Sequence, residues 1–201
     1  MPVISNSSPL IALTQIGQLD LLRRLYTCIC VPPAVAREVE PTVARLPDWV
    51  LVQELAHPLQ PGTVSASIGP GEREVISLGL ESGAALLILD EQPARRLATS
   101  LELRVIGTVG ILMAGKERGF LAKIRPELDR LLAVRFFMDQ DLYDRVIAQA
   151  GVILKLLPTG GKAPGDPRGA ALCRNRRITG GNSWNLRNCS WLSEVPAVAR
   201  R

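Results

Sequence analysis

The stretch Gly69-Pro70-Gly71-Glu72-Arg73-Glu74-Val75-Ile76-Ser77-Leu78-Gly79-Leu80-Glu81-Ser82-Gly83-Ala84-Ala85-Leu86-Leu87-Ile88-Leu89-Asp90 decides the fold of this chain. Pro70 suits the first turn of a helix, apolar residues recur at helical spacing through Val75, Ile76, Gly79 and Leu80, and Gly83 is a stop signal after Ser82. The run Ala84–Leu89 contains no polar residue, which suits a strand covered on both faces, and it ends at Asp90. A helix leading into such a strand is one unit of a parallel α/β sheet.

Similar units flank it. Pro2-Val3-Ile4-Ser5 reads as a short strand, and Asn6-Ser7-Ser8-Pro9 as a cap and helix start. Helical spacing then continues through Leu10, Leu13, Gly17, Leu19, Leu22 and Leu25 to Tyr26. Cys28–Val31 is a second buried strand, and Pro32-Pro33 opens a helix that Pro41 must end. Trp49–Val52 reads as an edge strand and His57–Ile68 as a loop. After Asp90, Gln92-Pro93 begins a helix and Arg104–Gly107 is a strand. Helices are expected over Thr108–Phe120, Lys123–Val134 and Asp139–Gly151. The expected class is therefore α/β: a three-layer sandwich with helices on both faces of a parallel sheet.

The 201 residues, 47% of them hydrophobic, can bury one sizeable core, which excludes a collagen-like or wholly disordered chain. The net charge of +5 is unevenly placed: residues 1–151 carry 15 Lys and Arg against 17 Asp and Glu, whereas residues 152–201 carry 9 against 2. The expected organisation is thus one domain over 1–151 and a basic, irregular tail over 152–201 whose composition is that of a disordered segment. Trp184 and Trp191, among arginines, could stack on nucleic-acid bases. The four cysteines form no C-x-x-C pair and suit reduced thiols, and His57 is the single histidine, which excludes any site needing two. No basic leader or membrane-spanning run is visible, so a cytoplasmic protein without a membrane partner is expected.

In an open parallel sheet, ligands bind beyond the carboxyl ends of the strands. Asn6 and Asp90 each follow a strand directly. Glu72 shares the inward stripe of its helix with Val75 and Ile76, and Glu38 falls in phase with Ala34 and Val35; Glu74 and Glu40 are rotated outward. Any one of these acids could be an ordinary helix-end residue, since a carboxylate in a first turn gains about 0.3–1 kcal/mol from the macrodipole without chemistry. Several at one sheet edge repel one another unless a divalent cation neutralises them.

Ser8-Pro9-Leu10-Ile11, Pro32-Pro33-Ala34-Val35-Ala36-Arg37-Glu38, Gly71-Glu72-Arg73-Glu74 and Leu87-Ile88-Leu89-Asp90, in this order and spacing, resemble the PIN domain family of metal-dependent nucleases, which includes VapC-type toxins. The resemblance covers Val3 to about Gly151. It implies a site for Mg²⁺ or Mn²⁺ in which Glu38, Glu72 and Asp90 are catalytic acids and metal ligands. Asn6 stands where the family has its first acid, while Ser8 and Thr108 occupy supporting polar positions. It also implies RNA as substrate, hydrolysed at a phosphodiester, and an antitoxin protein and a second copy of the chain as expected partners. Arg95 and Arg96, after Asp90, are candidates to meet RNA phosphate. The alternative is a catalytically silent PIN-like module that binds RNA or protein, because Asn6 lacks the charge of an acid. A nucleotide-binding domain fits less well: no G-x-G-x-x-G follows the first strand, and Glu72 puts negative charge where a phosphate would sit.

Overall fold

A computed structural model describes residues 2–43, 45–60 and 67–156. Five short strands, β1 (Val3–Ser5), β2 (Ile29–Val31), β3 (Val50–Val52), β4 (Leu86–Ile88) and β5 (Val105–Ile106), form one parallel sheet in the order β3-β2-β1-β4-β5. Val3, Ile4 and Ser5 pair with Leu86, Leu87 and Ile88, while Ile4 faces Cys30 on the other side. The chain steps outward from β1 to β3, then crosses back to place β4 against the free side of β1. That reversal opens a crevice between the carboxyl ends of β1 and β4.

Eight helices accompany the sheet among the described residues. They are α1 (Ser7–Gln15), α2 (Asp20–Tyr26), α3 (Pro33–Val39), α4 (Pro70–Ser82), α5 (Gln92–Ser100), α6 (Thr108–Glu117), α7 (Arg125–Ala133) and α8 (Gln140–Leu156). The architecture is the α/β sandwich that the alternating apolar runs demand. The helical spacing from Leu10 to Tyr26 is interrupted, because Gly17 takes φ +71° and ends α1. Most residues resist that conformation, whereas glycine adopts it freely, so one apolar stripe is folded into two helices. The strand read from the polar-free run Ala84–Leu89 is shorter than that run, but Leu89 still donates to Ile106 across the ladder at 2.9 Å.

The core is built mainly of apolar side chains: Ile4, Leu10, Leu13, Leu22, Ile29, Ile76, Leu87, Ile88 and Ile111 are fully buried. Val50 is buried but Leu51 and Val52 are exposed, as befits β3 at the sheet edge. Packing of α3 on α4, and of α4 on β1 and β4, brings three chain segments distant in sequence to the crevice. The helix α8 continues to Leu156, past the expected boundary at 151/152. Apart from that end of α8, the basic segment with Trp184 and Trp191 lies outside the described residues, as do residues 61–66 of the loop after His57.

Candidate functional site

Asn6 follows β1 and its backbone N–H donates to Ile88 O at 3.0 Å, which fixes it beside β4. Asparagine at a helix N-cap ordinarily turns its side chain onto the first-turn amides. Here it makes no such bond, so the expected cap is one of backbone position only. Its Nδ2 instead donates to Glu72 Oε1 at 3.2 Å and to Glu91 Oε2 at 3.3 Å. Ser8 Oγ donates a short hydrogen bond to the other oxygen of Glu91. Two carboxylates from different helix entrances are thus drawn to one neutral amide, an arrangement that long-range folding creates and local propensity does not.

The amide oxygen has a different fate. Asn6 is 1% exposed and its Oδ1 has no hydrogen-bond partner, the single such buried side-chain atom among the described residues. An unmade bond at a buried polar atom costs about 1–3 kcal/mol, so a donor or cation reaching Asn6 Oδ1 would recover that cost. Gly71 shows the direction. A Cβ there would stand 3.1 Å from Asn6 Oδ1 and 3.2 Å from Glu38 Oε2, so both oxygens gather over a backbone that carries no side chain. Glu38 lies on an exposed part of α3, and its carboxylate reaches the crevice because α3 packs on α4.

Asp90 is placed just beyond β4, but both of its oxygens are engaged elsewhere. Thr108 N–H donates to Oδ1 at 2.7 Å and Thr108 Oγ1 to Oδ2 at 2.6 Å, tying the end of β4 to the first turn of α6. Burial pushes the Asp90 carboxyl above the usual aspartate range; the two Thr108 bonds and Arg95 pull it down, and Glu91 pushes it further up. The supporting pair Ser8 and Thr108 therefore serve two different acids, Ser8 holding Glu91 and Thr108 holding Asp90.

Glu91 is the residue that sequence reasoning missed. Successive residues of extended chain point to opposite sides, so of two adjacent carboxylates leaving a strand only one can face Asn6. The Asp90-Glu91 pair carried that signal, and alternation alone could not say which member faced inward. Glu74 lies outside the cluster, its Oε2 accepting the Ala34 N–H at 2.8 Å near the start of α3. Glu40 is exposed beyond α3. Arg95 and Arg96 are exposed on α5, where with Gln92, Thr99 and Ser100 they line a shallow surface depression. His57 is exposed at the far end of α4, its Nδ1 3.9 Å from Glu81. Along α4 that end is about 13 Å from Glu72 at 1.5 Å per residue.

The donor set is one of hard oxygens, the type Mg²⁺ and Mn²⁺ take. Among the described residues no three Asp, Glu, His or Cys side chains close into a cation cage. Magnesium seldom needs one, since it is held by one or two carboxylates and keeps several waters. A buried amide oxygen without a partner, with the Glu38 carboxylate gathered over the same glycine, is compatible with such an ion.

Among the described residues no helix is long and apolar enough to cross a membrane. No curated protein and no solved structure matches the chain. A family model described as PIN domain matches residues 2–152, a span that contains all five strands and every residue of the crevice. The chain belongs to the PIN domain family, and its sheet and crevice are those of a nuclease-type fold.

Proposed function

We propose that this chain is a divalent-metal-dependent endoribonuclease of PIN type whose site is weakened by Asn6, acting in the cytoplasm as the toxin of a toxin–antitoxin pair. The observation that supports the reading is the unpartnered, buried Asn6 Oδ1 at the β1–β4 reversal, beside Glu38 and within reach of Glu72 and Glu91. Asn6 and Glu38 would hold Mg²⁺ or Mn²⁺, with Glu72 and one carboxylate of the Asp90-Glu91 pair reaching it directly or through its waters. The ion, when bound, supplies Lewis-acid stabilisation of a phosphodiester under attack and a more acidic water. The protein's own contribution is placement: Ser8 orients Glu91, Thr108 fixes the β4 end, and the apolar strands behind the crevice exclude water from one side. Arg95 and Arg96 are suited to the phosphates of a bound RNA strand, positioning it without reading its bases. A small antitoxin protein and a second copy of the chain are the partners this reading calls for.

One observation favours a silent module that binds RNA or protein. Asn6 Nδ2 already bridges Glu72 and Glu91, doing with two hydrogen bonds from a neutral amide what a cation would do with charge. Cleavage of unstructured RNA at fixed Mn²⁺ separates the readings. The nuclease reading expects slow cleavage by the native chain and a faster rate for Asn6→Asp. Absence of cleavage by both, with RNA retained, supports the silent module.

A further inference from the structure

The pair Asp90-Glu91 offers two carboxylates at one strand end, and their surroundings differ. Asp90 has both oxygens taken by Thr108, one by its backbone N–H and one by its hydroxyl. Those bonds join the end of β4 to the start of α6, and the carboxylate faces Arg95 and the Gly107 backbone: a Cβ at Gly107 would stand 2.7 Å from an Arg95 guanidinium nitrogen and 2.9 Å from Asp90 Oδ1. Glu91 instead reaches across the β1–β4 crevice. One oxygen accepts from Ser8 Oγ and the other from Asn6 Nδ2, the same nitrogen that donates to Glu72. An acidic cluster alone would not make a site. The second observation is Asn6 Oδ1, which is buried, unpartnered and directed to the space over Gly71 that Glu38 also enters.

We infer that Glu91, and not Asp90, is the carboxylate from the β4 end that serves as cation ligand, while Asp90 is a structural staple between β4 and α6. The assignment rests on the metal reading given above. It divides the two supporting hydroxyls accordingly: Ser8 orients a ligand, and Thr108 holds a staple. Both carboxylates accept two hydrogen bonds, but those of Glu91 come from Asn6 and Ser8 at the crevice itself, so a cation bound at Asn6 would share a carboxylate that already lies beside that residue. To take Asp90, it would have to displace or share two bonds that close the fold.

The test uses Mn²⁺ itself as probe, titrated into the full-length chain and read by electron paramagnetic resonance of the free ion, with melting temperature measured without metal. Both replacements are isosteric amides that can keep neighbouring hydrogen bonds. Glu91→Gln is expected to weaken Mn²⁺ binding by about tenfold or more, since it removes a ligand charge, with the metal-free melting temperature unchanged or raised. Asp90→Asn is expected to weaken binding less than Glu91→Gln does. Asp90→Ala, which loses both Thr108 bonds, is expected to lower the metal-free melting temperature. Asp90→Asn weakening Mn²⁺ binding as much as or more than Glu91→Gln overturns the assignment while leaving the metal reading standing. Absence of Mn²⁺ binding by both the native chain and Asn6→Asp overturns the metal reading and the assignment with it.

Discussion

The apolar layer behind the sheet and the polar crevice at its carboxyl edge lie within one strand length of each other and obey different rules. Ile4, Leu87 and Ile88 are fully buried and ask nothing of their neighbours but contact. One residue beyond Ser5, Asn6 is equally buried and has an oxygen that nothing satisfies. Stability is concentrated in the first region, and the second tolerates an unmade bond and gathered carboxylates that a purely structural region would eliminate. The contrast predicts that substitutions behind the sheet change melting without changing cation affinity, and that substitutions in the crevice change cation affinity.

The largest effect on stability is expected from Leu87→Ala, which removes a fully buried side chain on β4, beside the central strand β1. Loss of burial and the residual cavity should cost about 2–5 kcal/mol in denaturant unfolding. Mn²⁺ affinity of the folded fraction should stay at the native value; a parallel fall in affinity would break the separation of the two regions.

Thr108→Val sits at the border between them. It removes the hydroxyl that donates to Asp90 Oδ2 and should cost about 1–3 kcal/mol by leaving a half-buried carboxylate oxygen without its donor. Asp90 also gives a pH dependence whose sign is fixed. Its carboxyl titrates above the usual aspartate value of 3.8 in the folded chain, so the folded state holds the proton more tightly than the unfolded one. That contribution favours folding at low pH and is lost as pH rises from 3.8 through the raised value. Melting curves of the native chain against Asp90→Asn should therefore show the native chain losing relative stability across that window.

Glu74→Ala tests a carboxylate that the crevice does not use. Removing its bond to the Ala34 N–H should cost about 1 kcal/mol, the usual worth of a helix-start acceptor, with no change in Mn²⁺ binding. The smallest stability change is expected from Gly71→Ala. Alanine gains about 0.5–1 kcal/mol of helix propensity, offset by crowding of Asn6 and Glu38, so melting should barely move. Mn²⁺ affinity should nevertheless fall, because the new methyl group occupies the space over which the two oxygens meet.

The sequence carried the sheet well, since the polar-free run before Asp90 and the Pro-initiated helices are local signals with single readings. It carried Asn6, Glu38 and Glu72 to the crevice through strand ends and helical phase. What it could not carry was the orientation of side chains leaving a strand. Glu91 was invisible beside Asp90 because choosing between adjacent residues needs the register of β4 on β1, a long-range property. Gly17 misled for a related reason: apolar spacing persists across it while the backbone turns away. Glu74 lies outside the crevice but is half-buried, not outward as its helical phase suggests, because it faces the start of α3, a helix 40 positions away in sequence.

The central claim is that the crevice is a cation site held back by one missing charge. Calorimetric titration of Mn²⁺ into the native chain and Asn6→Asp tests it most directly. Aspartate keeps the shape of asparagine but replaces the bridging amide with a second oxygen, adding charge to Glu38, Glu72 and Glu91 that a divalent cation relieves. Asn6→Asp is expected to bind Mn²⁺ at least about tenfold more tightly than the native chain, with a metal-free melting temperature below native that Mn²⁺ restores. Equal affinity in the two proteins, or a melting temperature of Asn6→Asp that Mn²⁺ does not raise, would contradict it.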